Sequence, residues 1–185
     1  MTIIRIPFLV SLLLIGCASN QDIGYMTDTQ VNPTTGKMET TEYSPYYEYE
    51  FTTADKNLMA RLVITLGPER VPPGYKHTGT FAKNLKSSYR NGIVDWVSEI
   101  YFFNLSNSLI EVTPTYVKVG NDSEVFSRTL DIPPSGYKIS DPLISLHSVY
   151  GTKSEVTFKF EYKGKEHKVE GTAKRMTTNE INSKY

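Results

Sequence analysis

An all-β domain, an antiparallel sandwich or barrel of eight to nine strands, is what this sequence predicts. Apolar and polar residues alternate with period two through most of the chain, turn signals recur about every 8–12 residues, and helical periodicity is nearly absent. The 13 Tyr and 8 Phe lean the same way, since aromatic residues favour pleated surfaces. With 185 residues, 39% hydrophobic and 22% charged, the chain is neither disordered nor a multi-span membrane protein. One core-forming domain is expected, spanning 25–175.

Met26 opens a Thr-rich arm that turns at Asn32-Pro33-Thr34-Thr35-Gly36, where Pro and Gly supply the φ values of a β-hairpin. Residues 46–53 (YYEYEFTT) place Tyr47, Tyr49 and Phe51 on one face and Glu48, Glu50 and Thr52 on the other. Residues 54–60 (ADKNLMA) suit one or two helical turns, and 61–66 (RLVITL) form a strand ended by Gly67-Pro68. Residues 69–92 are the least regular, with Pro72-Pro73-Gly74 and Asn91-Gly92, and need at least one short element. From Ile93, Trp96, Ser98, Ile100 and Phe102 alternate with Val97, Glu99, Tyr101 and Phe103. A turn at 104–108 leads to a return strand ending at Val119. Strands at 124–132 and 142–150 follow, separated by Pro133-Pro134-Ser135-Gly136. The clearest hairpin comes last: Val156, Phe158, Phe160 and Tyr162 share a face, Lys163-Gly164 turns, and residues 165–174 return. Residues 176–185 are polar and suit a frayed tail. The run 93–174, with Trp96 on an early strand and meander and Greek-key punctuation after it, resembles an immunoglobulin-like sandwich. It lacks the paired cysteines of antibody domains.

The N-terminus reads as an address. Arg5 precedes an apolar run over 7–15, too short for a membrane span and of signal-peptide proportions. It ends Leu14-Ile15-Gly16-Cys17, which resembles the lipobox of bacterial lipoproteins. That resemblance implies removal of residues 1–16, a lipid on Cys17, and a membrane-anchored protein with 17–24 as lipidated Cys and tether. Acyl chains at about 0.8 kcal/mol per buried CH₂ anchor such a protein stably. Ala18 stands where an Asp retains Gram-negative lipoproteins in the inner membrane, so the outer membrane, facing the periplasm, is implied.

Motif chemistry is sparse. The single Cys excludes a disulfide framework, a Cys-based zinc site and a CxxC motif. Twenty basic against twenty acidic residues give none of the basic excess of a nucleic-acid binder. The chain contains no GxSxG, P-loop, GxGxxG before a helix or HExxH. His77, His147 and His167 lack partners at metal-ligand spacing, so no metal and no cofactor are expected; His147 and His167 read as partly buried and His77 as solvent-facing. Glu48 and Glu50, two residues apart on one strand face, match the separation of a retaining glycosidase pair. An acidic solvent face accounts for them more simply.

Aromatic residues outside the expected core are the remaining signal. Tyr43 and Tyr46 flank Ser44-Pro45, and Tyr101 and Phe103 lie opposite Trp96; these four form the candidate binding surface. Something must cover a strand that is apolar on both faces, either the N-terminal hairpin or a partner. The expected function is that of a lipid-anchored, non-catalytic binding or structural module of the envelope with a protein partner. The alternative is an envelope hydrolase with its site in 69–92, around His77.

Overall fold

The computed structural model describes residues 26–66, 96–140, 144–146, 149 and 151–184. The signal region with Cys17, the tether, the 69–92 stretch with His77, and His147 lie outside them.

Eleven strands form one antiparallel sheet among the described residues. Its order runs β6 (Asp122–Val125), β5 (Ile110–Val119), β10 (Lys153–Tyr162), β11 (Lys165–Thr177), β2 (Met38–Thr52), β3 (Leu58–Leu66), β4 (Trp96–Asn104) and β8 (Tyr137–Ile139). β1 (Met26–Val31) pairs with the start of β2, β7 (Leu130–Ile132) with β5, and β9 (Ile144–Leu146) with β4.

The sheet curls on itself. Phe102 of β4 and Phe160 of β10 have three strands between them in the sheet, yet their ring centroids are 5.4 Å apart. At the margins β6 touches β9 and β7 touches β8. The two limbs thus enclose one core, to which β10 contributes Val156, Phe158, Phe160 and Tyr162 on the face its alternation assigns. The hairpin joining β10 to β11 turns through Lys163 and Gly164 at φ 53° and 67°, the left-handed pair of a type I′ turn. Gly171 has a different reason. The Tyr49 ring lies against its backbone, and a Cβ there would sit 2.2 Å from Tyr49 Cε2. The aromatic ring fills the place a side chain would take.

Four expectations are corrected. Residues 54–57 form a turn rather than a helix, because Thr53 Oγ1 accepts from Leu58 N–H and Asp55 from Asn57 N–H; Leu58 and Ala60 then join the inner face of β3. The stretch 124–132 breaks into β6 and β7. Pro114, which has no N–H, sits at a bulge opposite the step from Lys159 to Phe160, and Phe126 N–H donates to the Thr115 carbonyl. After the turn at 133–136 an unexpected strand, β8, pairs with β4. Such short pieces raise the strand number from the expected eight or nine to eleven. The polar tail is not frayed: β11 runs on to Thr177, and helix α1 (Thr178–Lys184) follows.

Candidate binding surface

The outer face of β2, β3 and β4 is a grid set by register. Tyr46, Thr65 and Val97 form one row, and Glu48, Val63 and Glu99 the next. Glu50, Arg61 and Tyr101 follow with Ile139 of β8, and then Met59, Phe103 and Tyr137. Residues opposite one another in antiparallel strands share a face, so each row is a set of touching neighbours.

Polar contacts within the sheet hold this grid. Tyr46 Oη donates to Glu48 at 3.0 Å, and Tyr101 Oη to Glu99 at 3.1 Å. Arg61 places Nη2 2.7 Å and Nε 2.8 Å from Glu50 Oε1, and its guanidinium lies 5.0 Å from the Phe103 ring centroid. The Glu48 side chain is only 7% exposed. The expectation of a solvated acidic face therefore fails for Glu48. Both carboxylates are engaged by Arg61 and by Lys184, which suits charge pairing and not proton transfer.

α1 lies over this face. Thr177 and Glu180 make a capping box: Thr177 N–H donates to Glu180 Oε2 at 2.7 Å and Glu180 N–H to Thr177 Oγ1 at 3.1 Å. Ile181, 1% exposed, packs among Tyr46, Val63 and Tyr101, and Lys184 Nζ donates to Glu48 and Glu50. Burying one Ile is worth about 1.5–3 kcal/mol. Thr178 Oγ1 also donates to Glu42 at 2.9 Å.

The four aromatic residues of the candidate surface thus have different fates. Tyr46 and Tyr101 are buried, at 2% and 1% exposure, because α1 covers them; they are not an exposed patch. Phe103 is half-buried and packs against the same cluster. Tyr43, also half-buried, pairs with Thr177 and lines a cleft of about 400 Å³ with Arg175 and Glu180. The cover predicted for the second face of β4 exists, but it is the C-terminal segment and not the N-terminal hairpin. Tyr137, 43% exposed, extends the aromatic row: its ring is 5.8 Å from Phe103 and tilted 35°. Sequence reasoning placed no strand there.

Elsewhere among the described residues two further features can be placed. His167 lies nearly parallel to Phe160, 5.0 Å away, as a partly buried core-edge residue. A hollow of about 470 Å³ at the far end of the sheet is lined by Ser106, Ser108, Glu111, Thr113, Thr129 and Glu161, among others, without a histidine. Among the described residues no group of three His, Cys, Asp or Glu side chains is placed to hold a metal, and no helix is long and apolar enough to cross a membrane.

Burial alone would raise the Glu50 carboxyl, but Lys184 and Arg61 outweigh it and hold it below its ordinary value of 4.5. A carboxylate lowered in the folded state stabilises fully above that value and stops doing so as pH falls through the lowered one. Acid is therefore expected to loosen α1 before the core, by about 0.5–1 kcal/mol for a partly exposed pair. Amide protection across 178–184, taken relative to the intrinsic exchange rate at each pH, should fall a few-fold below pH 4.5 while that of β10 does not. An equal loss of protection in both would show that the carboxylate does not hold the helix.

Comparison with known protein families finds no matching family model, and a search of curated proteins finds no significant match.

Proposed function

We propose that the chain is a lipid-anchored envelope protein, held by Cys17 in the outer membrane on its periplasmic side, which serves as a non-catalytic module binding another envelope protein. The curled sheet acts as a sandwich-like scaffold, immunoglobulin-like in the loose sense of two facing limbs around one core. The observation that supports a binding role is the outer-face row of Phe103 and Tyr137 beside the Arg61–Glu50 pair. Exposed Tyr beside Arg is the composition of interface hot spots.

A photo-cross-linking residue at Tyr137 in intact cells tests the binding role. It should capture a defined envelope protein, whereas the same residue at Lys159, on a distant strand, should not. Identical products from both positions would refute it. Lipid attachment has its own test, since Cys17 carries the only thiol in the chain. Cys17→Ser is expected to abolish fatty-acid labelling and to leave the protein as precursor or soluble in the periplasm, with the domain folded. Continued labelling would remove the anchor.

A further inference from the structure

We propose that α1 is a displaceable occupant of a peptide site on the outer face. The site's ligand is then a helical segment of a partner protein bearing an aliphatic side chain and, three residues later, a Lys or Arg. This deepens, and rests on, the reading of that face as a binding surface.

The site is built by the strands and only filled by the helix. Tyr46 is fixed by Glu48, Tyr101 by Glu99 and Arg61 by Glu50, all between neighbours in the sheet. A hollow flanked by Tyr46, Val63 and Tyr101 and bordered by the Glu48 and Glu50 carboxylates therefore has its shape before anything occupies it. The occupant defines the ligand chemistry. Ile181 supplies the apolar anchor, and Lys184, one turn on, supplies the cation that bridges the two carboxylates.

The occupant is also weakly held. Seven residues are too few for a helix to be stable by itself. Among the residues of the helix whose burial is described, only Ile181 is buried, and Asn179, Glu180, Ser183 and Lys184 are exposed. Its few contacts, Ile181, the Lys184 pairs and the Thr178–Glu42 hydrogen bond, are reinforced because the segment follows β11 without a linker, at the high effective concentration of a tethered ligand. A partner segment that adds contacts with the exposed Tyr137, beside Phe103 at the edge of the cluster, has the means to displace it.

The full chain in detergent micelles is titrated with a fluorescent copy of residues 176–185, stapled between the exposed positions 179 and 183 to preform the helix. Wild type, with its site filled, should bind weakly. Ile181→Asp in the protein should empty the site and tighten binding by about 30-fold or more, the order of the tether's advantage. Lys184→Glu, a change at an exposed position that cannot threaten the core, should give an intermediate gain and decides the matter if Ile181→Asp does not fold. Peptide copies carrying either change should bind none of the proteins. Equal affinity for wild type and Lys184→Glu, or no binding to any folded variant, would overturn the proposal. A failed cross-link at Tyr137 with a successful titration would instead remove the envelope-partner reading and leave the peptide site.

Discussion

Phe160→Ala is expected to lower the unfolding free energy by about 3–5 kcal/mol, the range for a large buried aromatic ring. Phe160 is fully buried and stands where the two limbs of the sheet meet. Its ring contacts Phe102 of β4 at 5.4 Å, Phe51 of β2 at 6.2 Å, Phe158 at 6.1 Å and His167 at 5.0 Å. Backbone ladder hydrogen bonds join each strand only to its immediate neighbours in the sheet, so contacts between non-adjacent strands come from side chains. Deleting this ring leaves a cavity that the bulged β5–β10 seam and the paired β10–β11 hairpin cannot collapse around without breaking register. Urea denaturation followed by circular dichroism measures the loss; a change under about 1.5 kcal/mol would mean that the limbs are held together elsewhere.

Arg175→Ala should cost about 3 kcal/mol, and Arg175→Lys should recover little of it. Arg175 is 8% exposed, and burial pulls its guanidinium below the ordinary arginine value. Nε donates to the Ser44 carbonyl at 2.8 Å, while the guanidinium carbon lies 5.5 Å from the Tyr47 ring and 5.8 Å from the Trp96 ring. A charged hydrogen bond is worth about 1.5–3 kcal/mol and a desolvated cation–π contact up to about 2, partly offset by desolvation. Lysine's point charge cannot reproduce the planar donor and the flat stack together. Trp96 is the only tryptophan, so its fluorescence reports the site directly. If Arg175→Lys matched wild type in both stability and emission, charge alone would be the contribution.

How much of this was legible depends on the distance over which each signal acts. Period-two alternation is local, and it placed Phe158, Phe160 and Tyr162 on the inner face of β10 and Ile100 and Phe102 on that of β4. The first hairpin and the Lys163-Gly164 turn were equally readable, since their φ requirements are written in the turn residues. β4 itself was ambiguous because both of its faces are apolar, and what covers the second face is 75 or more residues away in sequence. The cover carries a single fully buried apolar residue, Ile181, in an otherwise polar run. Its only sequence mark is the T-x-x-E of Thr177 and Glu180, a capping box that announces a helix start. Sequence alone points to Tyr43, Tyr46, Tyr101 and Phe103 as exposed aromatic residues. Tyr46 and Tyr101 indeed converge on one place, but composition alone does not say whether such a cluster is open or filled.

Strand order has a consequence in time. β11 is the last strand in chain order, yet it lies in the middle of the sheet, between β10 and β2. Until residues 165–177 are available, no strand pairing among the described residues connects β5 and β10 to the limb made by β2, β3 and β4. During vectorial emergence, from a ribosome or through a translocation pore, the earlier strands can form hairpins but cannot close the core. Assembly then finishes with an insertion between two preformed edges, a step dominated by long-range pairing and slow for that reason. Until that step the unpaired edges of β2 and β10 are the sites open to mispairing or to a holding chaperone.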